Sequence, residues 1–595
     1  MMANAQGAIL TGKTKAHNAR SAALIQQTTG SLPEFFPKKK EASAKEKAAL
    51  ALAAREAAQR LIENPALELQ PLKQEICARH SSPFLRNSDI LRFVPATTVH
   101  AALRARLLKS PTRTLSGVSP VALMPPPAEC GGHCIYCPKG KNAPQSYTGY
   151  EPTTMRAIQN NYSAKKQIAA RLSQYSQQGH LADKCHLIVM GGTFLYGEER
   201  ARHAFMKEAF DALNGKKSAS LSAAISANES ALHRAIGVTF ETRPDYSLEY
   251  HADEMLAMGG TQVEMGVQAL SDRVYEKVRR GHTLADVARA TSILKNAGFK
   301  LCYHMMPGLF STPAQDVSYF KMLFSDSRFQ PDMLKIYPAL VITGTGLHSL
   351  WKSGVFEPYD TEAAADVIAS ATKYIPPYVR IPRIQRDIPS PIVSAGVKNS
   401  NLRQIVDEKL AQRGEKCRCI RCREIGRSAR KGDVAEKLNL TLERIDYKAS
   451  GGQEVFLSFE DTGKDLLAGF LRLRIPNESH RKEIDAGAPN PKAYKFQSEP
   501  VAQRKQRAIS RGEPDILSSL VRELHVYGQE AAVGEESSSK MQHKGLGKKL
   551  LAEAEEITRK EFGLEKISVL SGPGARGYYK KLGYSLGGAY MQKKV

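Results

Sequence analysis

The 595-residue chain has few cysteines, a single tryptophan and too few acidic residues to balance its basic ones. Nine cysteines in a chain of this length are too sparse for a disulfide scaffold. No apolar stretch approaches the ~20 residues that a membrane-spanning helix needs, and the N-terminus shows no compact apolar segment of the secretory type. These absences argue against a disulfide-rich secreted fold and against an integral membrane protein, and they predict a cytoplasmic location.

The shortage of acidic residues leaves a large positive charge. With 85 Lys and Arg against 60 Asp and Glu, the formal net charge is +25 and the isoelectric point is near 9.5. Such a charge fits either an ordinary lysine-rich surface or a polyanionic partner such as a nucleic acid. A hydrophobic content of 42% is that of a globular protein, and the length corresponds to about three to five domains.

The order of the predicted elements divides the chain into four parts. Residues 1–95 combine a basic arm with a small helical unit, which contains the helix-forming run AKEKAALALAAREAAQRLIENP. Residues 96–400 alternate strands and helices, residues 401–430 form a basic, cysteine-rich linker, and residues 431–595 form a second α/β domain. Within this last domain, the span 476–515 is rich in Pro, Lys and Arg and is predicted to be an exposed insertion.

Six apolar runs in residues 96–400 predict six strands of one parallel sheet. Helical stretches such as 198–213, 247–258 and 284–297 separate them, and this alternation is typical of βα units with crossover helices. No further strand–helix pair is evident, so we predict an open, partial (βα)6 barrel instead of a closed eight-stranded one. The predicted strands are Pro120–Met124, His186–Met190, Ile236–Glu241, Gln262–Val267, Lys300–Met305 and Met333–Tyr337.

Three cysteines lie close together after the first predicted strand. Cys130, Cys134 and Cys137 form a C-x3-C-x2-C motif, and soft thiolate ligands suit an iron–sulfur cluster. With only three local thiolates, one iron of a four-iron cluster would stay open to another ligand. The spacing also allows an alternative, which is a zinc site with a distant fourth ligand.

Polar residues at the ends of the other predicted strands favour the iron–sulfur interpretation. In a parallel barrel the carboxyl ends of the strands meet on one face, so the side chains that follow the strands come together there. A Gly-Gly pair after the second strand would also let a ligand approach the backbone closely. The residues that we expect to bind a cofactor at this face are Gly191, Gly192, Thr193, Glu241 and Gln268.

A motif in the last domain predicts a binding site for a pyrophosphate. The segment QHKGLGK at residues 542–548 leads into a helix, so backbone N–H groups and the helix N-terminus can meet phosphate oxygens. A predicted strand precedes it and the segment GPGARGYYKKLGY follows. An ordinary glycine-containing loop is the alternative. The residues expected to bind this cofactor are Glu523, Leu524, His525, Val526, Gln542, Gly545, Leu546, Gly547, Lys548 and Tyr579.

The tyrosine pair in the last segment is the candidate for catalysis in this domain. Tyr578 and Tyr579 are adjacent near the C-terminus of the chain, and we expect them to be catalytic. Packing of one or both rings on a helix face is the alternative interpretation.

The linker contains a second group of cysteines. Cys417, Cys419 and Cys422 supply three thiolates in a C-x-C-x2-C motif, which predicts a structural zinc site whose fourth ligand is not local. His525 or one of the isolated cysteines could supply that ligand. The arginines around the motif would lower the thiol pKa values and favour metal binding. Reduced thiols in a basic linker, without a metal, are the alternative.

Together these motifs resemble those of the Elongator catalytic-subunit family. The C-x3-C-x2-C spacing is that of radical S-adenosylmethionine (SAM) enzymes, and QHKGLGK matches the Q/R-x-x-G-x-G/A pattern of GNAT acetyltransferases. The similarity runs from about residue 98 to the C-terminus. It rests on PQSYTGYEPT (144–153), MGGTF (190–194), ETRPD (241–245), RGHT (280–283), LKIYPALV (334–341), IQRDIP (384–389), RELHVYG (522–528) and YYKKLGY (578–584).

The resemblance implies a fold, a set of cofactors and a reaction. The implied fold is a partial radical SAM barrel joined to a GNAT domain, and the implied cofactors are a 4Fe-4S cluster, SAM and acetyl-CoA. The implied reaction forms 5-carboxymethyluridine at the wobble position of tRNA by radical chemistry. The implied partners are tRNA and acetyl-CoA, together with a second copy of the chain or other Elongator subunits, and no membrane is implied.

Two other functions are compatible with these motifs. One is a protein lysine acetyltransferase with a structural iron–sulfur domain, in which acetyl transfer would not need SAM. The other is a tRNA-binding scaffold without catalysis. The full set of polar strand ends argues against the first, because a purely structural domain would not need it. A scaffold without catalysis would have no need for three spaced thiolates beside a Gly-Gly loop.

The basic arm generates the first testable prediction. Lys13, Lys15, Arg20 and residues 38–40 lie in sequence without helical or strand periodicity, and we expect them to bind tRNA phosphates. Deletion of residues 1–40 should weaken tRNA binding and flatten the dependence of log Kd on log salt, since each phosphate contact contributes roughly 0.7–0.9 to that slope. Titrations at several salt concentrations check this, and unchanged affinity at every concentration would show the arm to be passive.

Overall fold

The computed structural model of the chain describes seven segments, which are residues 43–95, 99–108, 117–180, 182–428, 438–485, 518–527 and 545–595. The basic arm, most of the predicted insertion and the candidate residue Gln542 lie outside these segments. Within the described segments, no helix combines the length and the apolar character that a membrane crossing requires.

The N-terminal segment forms the predicted small helical unit. Ser43 begins the first helix with a capping box, in which its hydroxyl accepts from the Glu46 N–H and the Glu46 carboxylate accepts from the Ser43 N–H. The buried stripe on this helix consists of Ala53, Ala54, Ala57, Ala58 and Leu61, which share one helix face. The helices are α1 (Ala44–Glu63), α2 (Leu69–Arg79), α3 (Asn87–Leu91) and α4 (Ala101–Leu107).

A parallel sheet of seven strands forms the first large domain. Its strands are β1 (Ser119–Leu123), β2 (Lys184–Val189), β3 (Arg234–Thr242), β4 (Gln262–Gln268), β5 (Lys300–Met305), β6 (Met333–Ile336) and β8 (Arg380–Ile384). They lie in the order β1-β2-β3-β4-β5-β6-β8, so β1 and β8 are two separate edges and the barrel is open. Two short strands, β7 (Val341–Ile342) and β9 (Val393–Ala395), pair with each other outside this sheet.

The six strands predicted from the apolar runs are confirmed, and the structure adds a seventh. The additional strand, β8, reads RIPRI and therefore has no apolar run that would identify it. Pro382 lies within it, and a proline, which lacks an N–H, is tolerated because β8 is an edge strand. The partial barrel thus has one strand more than the sequence predicts.

Helices cover the outer face of the barrel. They are α5 (Pro152–Gln159), α6 (Ala164–Gln177), α7 (Glu199–Asn214), α8 (Leu221–Ala227), α9 (Glu249–Ala257), α10 (Asp272–Lys277), α11 (Leu284–Asn296), α12 (Pro313–Ser325), α13 (Gly346–Lys352), α14 (Thr361–Thr372) and α15 (Leu402–Gln412). Beneath them, Cys185, Leu187 and Val189 of β2 are fully buried, whereas alternate residues such as His186 face the interior and stay partly accessible. Helix α15 shares the hydrophobic core of the barrel, although the sequence assigns its residues to the linker.

A second sheet of seven strands forms the C-terminal domain, after the short linker helices α16 (Ile420–Arg423) and α17 (Ile425–Ser428). The strand order is β10-β11-β12-β13-β14-β16-β15, and β13 and β14 pair in parallel over only three residues each. The elements are β10 (Thr441–Ala449), β11 (Gly452–Asp461), β12 (Leu466–Ile475), β13 (Ser519–Val526), α18 (Leu546–Lys560), β14 (Lys566–Val569), α19 (Arg576–Lys580), β15 (Ser585–Gly587) and β16 (Tyr590–Lys594).

The first residues of the predicted insertion pack against the barrel instead of lying exposed. The Ser479 hydroxyl donates to the Asn296 carbonyl at 3.0 Å. His480 and Arg481 both contact the Asp253 carboxylate, at 2.9 and 2.7 Å. The prediction of an exposed span is therefore wrong for this part, because its polar residues are buried by pairing with barrel helices, which an apolar periodicity does not reveal.

Buried ion pairs join the two large domains. Asp332, just before β6, accepts one hydrogen bond on each carboxylate oxygen from Arg522 of β13, both at 2.7 Å. Glu454 of β11 accepts from Arg522 at 2.7 Å and from Arg474 at 2.9 Å. Lys295 of α11 lies 3.5 Å from Asp332 and 3.4 Å from Glu454. None of these side chains is more than 1% exposed, so the charges depend on one another. The pairs Asp332–Arg522 and Lys295–Glu454 are the ones that cross the interface.

Removal of the central carboxylate should destabilise the chain strongly. Asp332→Ala would leave Arg522 and Lys295 buried with Glu454 as the one carboxylate that both still contact, and breaking a buried pair in this way typically costs about 3–5 kcal/mol of unfolding free energy. Urea denaturation followed by circular dichroism measures this cost. The matched control is Asp326→Ala, which breaks the pair of Asp326 with Arg328, whose side chain is 61% exposed, and should change stability far less. Equal losses of unfolding free energy in the two variants would contradict the conclusion that the buried ion pairs between the domains stabilise the chain.

Candidate active sites

The carboxyl ends of the barrel strands surround one cavity. The cysteine loop follows β1, and the polar residues that line the other walls follow β2, β3 and β4. This arrangement is the one expected for a parallel barrel. Of the residues predicted for this site, the cavity is lined by Cys130, Cys134, Cys137, Gly192, Thr193, Glu241 and Gln268. Gly191 lies beside the wall, where a Cβ atom would be 3.3 Å from the ring of Pro125.

The two glycines after β2 adopt backbone conformations that favour glycine. Gly191 has a φ of +130° and Gly192 a φ of +83°, in the region that other residues rarely adopt. A Cβ atom on Gly192 would lie 3.0 Å from the Gln145 carbonyl oxygen and 3.7 Å from Cys130 Cβ. The bare backbone therefore passes close to the cysteine loop, as expected for a turn that a ligand approaches.

The thiols of the C-x3-C-x2-C motif are spaced as separate ligands. All three cysteines are described, and their sulfur atoms do not all lie within 4.8 Å of one another, whereas those of the linker motif do. Each thiolate of a four-iron cluster binds its own iron, and the three thiols line one cavity together, as such a cluster requires. Two buried atoms beside the cavity, Thr193 Oγ1 and Arg243 Nη1, have no hydrogen-bond partner. The residues present therefore fit a cluster with a bound polar molecule.

Cationic side chains act on the thiols. Burial alone would raise the pKa of Cys134, but the charge and hydrogen bond of Arg280, with a further effect from Arg243, lower it overall. For Cys137, burial and the neighbouring Cys134 raise the pKa to about 11. The cavity therefore favours the thiolate form of Cys134 over that of Cys137.

A buried ion cluster lines the cavity, and its residues belong to the polar strand ends that the sequence predicts to meet, although none of them was among the residues expected to bind a cofactor. The Glu264 carboxylate contacts Lys335 Nζ and lies 3.2 Å from His304 Nε2. Although burial would raise the pKa of Glu264, the Lys335 ammonium lowers it well below its usual range. The signal in the sequence is a titratable residue in each of three adjacent strands, β4, β5 and β6. In the sheet register Glu264 pairs with Cys302, and His304, two residues further along β5, pairs with Lys335.

The glycine loop of the second domain meets one face of β13. A Cβ atom on Gly547 would lie 3.0 Å from Tyr578 Oη, 3.7 Å from Val526 and 3.9 Å from Leu524. Gly545, with a φ of +71°, precedes the first residue of α18. The predicted loop, strand and tyrosine are thus brought together at the start of this helix, where backbone N–H groups favour an anion.

The two residues that flank Gly547 differ in their environment. Leu546 is buried, and Lys548 is exposed on the first turn of α18, with its N–H donating to the Gly545 carbonyl at 3.0 Å. The lysine side chain is therefore free to reach a phosphate in solvent, while the leucine anchors the helix.

The other two predicted residues of β13 face the barrel. Glu523 lies 3.7 Å from Lys300 Nζ and accepts from Arg472 Nε at 3.0 Å. The His525 ring stacks on Phe470 with centroids 6.1 Å apart, and burial lowers the pKa of His525 to about 4. The structure thus places Glu523 and His525 away from the glycine loop and against the first domain.

The tyrosine pair is divided between surface and core. Tyr578 is 39% exposed and its hydroxyl faces Gly547. Tyr579 is 7% exposed and packs in the core of the second domain, with its ring centroid 5.9 Å from that of Tyr584. Of the two candidates, the geometry therefore favours Tyr578 as the group that faces the site.

The linker thiols form a tight group. The sulfur atoms of Cys417, Cys419 and Cys422 all lie within 4.8 Å of one another, and the last two are 3.7 Å apart. Hydrogen bonds from the neighbouring thiols, together with burial, raise the pKa of Cys417, and the same hydrogen bonds lower the pKa of Cys419. Among the described residues, no fourth His, Cys, Asp or Glu belongs to this group, and that includes the suggested ligand His525.

Three family models match successive parts of the chain. The Radical SAM superfamily matches residues 124–321, the Radical_SAM C-terminal domain residues 331–412, and the Acetyltransferase (GNAT) family residues 536–584. The tRNA uridine(34) acetyltransferase of Dehalococcoides mccartyi (strain CBDB1) is 47% identical over 489 residues, which cover 82% of this chain and 100% of that protein. Elongator complex protein 3 of Homo sapiens is 39% identical over 546 residues, which cover 89% and 93%.

The chain belongs to the Elongator complex protein 3 family. A solved structure of the archaeal Methanocaldococcus infernus Elp3 with an N-terminal deletion matches 81% of this chain and 100% of its own length, with a TM-score of 0.68 and 40% identity. The predicted fold, a partial radical SAM barrel joined to a GNAT domain, is thereby confirmed, as is the predicted family.

Loss of one cysteine should remove the cluster of this family member. After anaerobic reconstitution with iron and sulfide, Cys134→Ala should lose most bound iron and the broad visible absorbance, because three thiolates are needed to hold the cluster. Cys185→Ala is the matched control, since Cys185 of β2 is buried beneath the outer helices of the barrel, away from the cavity. Full iron content in Cys134→Ala would contradict the assignment.

Proposed function

We propose that this chain converts the wobble uridine of tRNA to 5-carboxymethyluridine, using SAM and acetyl-CoA, by radical chemistry. The observation that carries the proposal is the cavity at the strand ends, which gathers three spaced thiols, a glycine pair and unpartnered polar atoms. The name of the D. mccartyi relative, tRNA uridine(34) acetyltransferase, supports uridine 34 of tRNA as the substrate. A net charge of +25 suits a polyanionic substrate of this kind.

Residues of the barrel would hold and shield the first pair of cofactors. When bound, a 4Fe-4S cluster and SAM supply hydrogen-atom abstraction chemistry. Cys130, Cys134 and Cys137 would hold the cluster, and Gly192 and Thr193 would bind SAM beside it. Glu241, which accepts from the Tyr147 hydroxyl at 2.7 Å, and Gln268, with a strained φ of +74°, would complete the SAM site.

Residues of the second domain would hold acetyl-CoA. The backbone at Gly545 and Gly547 and the N-terminus of α18 would bind its pyrophosphate, with Lys548 as a solvent-exposed cation. Leu524 and Val526 would line the acyl arm, and Tyr578 would contact it near Gly547. A protein lysine acetyltransferase would use the same loop, but it has no use for the radical cavity.

Further features of the proposal concern zinc, partners and location. We assign a structural zinc ion to Cys417, Cys419 and Cys422, because clustered cytosolic thiols are typical metal ligands. The protein partners proposed are a second copy of the chain or other Elongator subunits, as the naming of the relatives suggests. We propose a cytoplasmic location, where the free thiols would remain reduced.

A single substitution in the glycine loop tests whether the two sites share one reaction. Gly547→Glu places a carboxylate where even a Cβ atom would lie 3.0 Å from Tyr578 Oη, so it should block acetyl-CoA by bulk and by repulsion of the pyrophosphate. We expect loss of acetyl-CoA binding and of carboxymethyluridine, at full iron content. Ala552→Glu, at an exposed position of α18, adds the same single negative charge and is the matched control.

The measurements are calorimetric binding of acetyl-CoA, iron content and the yield of modified nucleoside by mass spectrometry. A Gly547→Glu protein that fails to bind acetyl-CoA but still forms the nucleoside would refute the coupled reaction. Retained protein acetylation without nucleoside formation in the unmodified chain would favour the acetyltransferase alternative.

A further inference from the structure

Arg280 is a buried cation without a carboxylate partner in the described part of the chain. Its side chain is 6% exposed, and its three hydrogen bonds go to uncharged or thiol acceptors. Nη1 donates to Cys134 Sγ at 3.3 Å, Nε to His282 Nε2 at 3.0 Å, and Nη2 to the Gly266 carbonyl at 2.5 Å. Asp245, whose charge also acts on Arg280, is ion-paired with Arg243 at 2.8 Å.

A guanidinium in this position needs a negative charge nearby. Burial of an unpaired cation is costly unless a counter-charge compensates it, and of the three groups that accept hydrogen bonds from Arg280, the Cys134 sulfur is the one that can become anionic. Burial raises the pKa of nearby Tyr136 well above its usual value, so that hydroxyl supplies no counter-charge. Under the proposed function, Cys134 is a cluster ligand, and a thiolate-bound cluster carries negative charge. The cluster is therefore the counter-ion that the fold provides for Arg280.

The surroundings of Arg280 are built to hold its orientation. A guanidinium can only donate, so His282 must accept through Nε2, and its ring is packed against Tyr275 with centroids 4.6 Å apart. Gly266 leaves the space that the guanidinium fills, since a Cβ atom there would lie 2.6 Å from Arg280 Nη2. The RGHT motif and Gly266, which have no assigned role at the cofactor sites, thus serve one side chain.

We propose that Arg280 is a positioning residue that holds Cys134 and raises the reduction potential of the cluster. Reduction adds an electron to the cluster, and a charge-assisted N–H···S hydrogen bond stabilises the added negative charge. Arg243, by contrast, is compensated by Asp245 and should contribute less. This inference rests on the cluster of the proposed function and goes beyond it by naming the residue that tunes it.

The test is the midpoint potential of the reconstituted full chain, measured by a redox titration followed by electron paramagnetic resonance without SAM or tRNA. Arg280→Gln should shift the potential to a more negative value, because both the charge and the sulfur contact are lost. Arg280→Lys keeps the charge but loses the planar fork, and it should shift the potential less in the same direction. Arg279→Gln, the same charge change at the adjacent exposed residue, should leave it unchanged.

An unchanged potential in Arg280→Gln at full iron content would overturn the proposal. If Arg280→Gln does not retain iron, the potential of Arg280→Lys decides, and a value equal to that of the unmodified chain would overturn it as well. Failure of the cluster assignment itself has a different signature, which is full iron content in Cys134→Ala.

Discussion

The bidentate contact between Arg522 and Asp332 determines how the two sheets of this protein lie against each other. Asp332 precedes β6, so the contact is at the amino ends of the barrel strands, whereas the cysteine loop lies at their carboxyl ends. At the same amino ends, Lys300, the first residue of β5, contacts Glu523 of β13. At the opposite end, Lys335 of β6 contacts Glu264 in the lining of the cavity. Buried charged pairs therefore attach the second domain to one end of the barrel and line the cavity at the other.

The linker strengthens the same interface from the side. Arg423 pairs with Glu460 of β11 and donates to the Pro377 carbonyl near β8 at 2.9 Å. Arg380 of β8 contacts both Glu424 of the linker and the Tyr527 hydroxyl, at 2.8 and 2.6 Å. The proposed zinc ion at the linker thiols would thus hold a segment that touches both sheets.

Local patterns were sufficient to predict much of this architecture. Six strands, the two cofactor motifs and the order of the domains follow from apolar runs and spacing over a few residues. The long-range pairs could not be predicted from such patterns, because Arg280 and Cys134 are 146 residues apart and Lys335 and Glu264 are 71 residues apart. β8 was missed because its sequence, RIPRI, has no apolar run and contains a proline, which lacks the backbone N–H that a strand residue usually donates. Partners that only the fold brings together leave no periodicity in the chain.

The division of β13 between two faces has a consequence for how this family can diverge. Glu523 and His525 face the barrel, while Leu524 and Val526, which alternate with them along the strand, face the glycine loop. Each domain therefore restricts every second position of one short strand, and neither can be exchanged for a foreign homologue without a compensating change in the other. The eight residues of β13 therefore contribute to both domains at once. A longer linker between the domains would not supply these contacts.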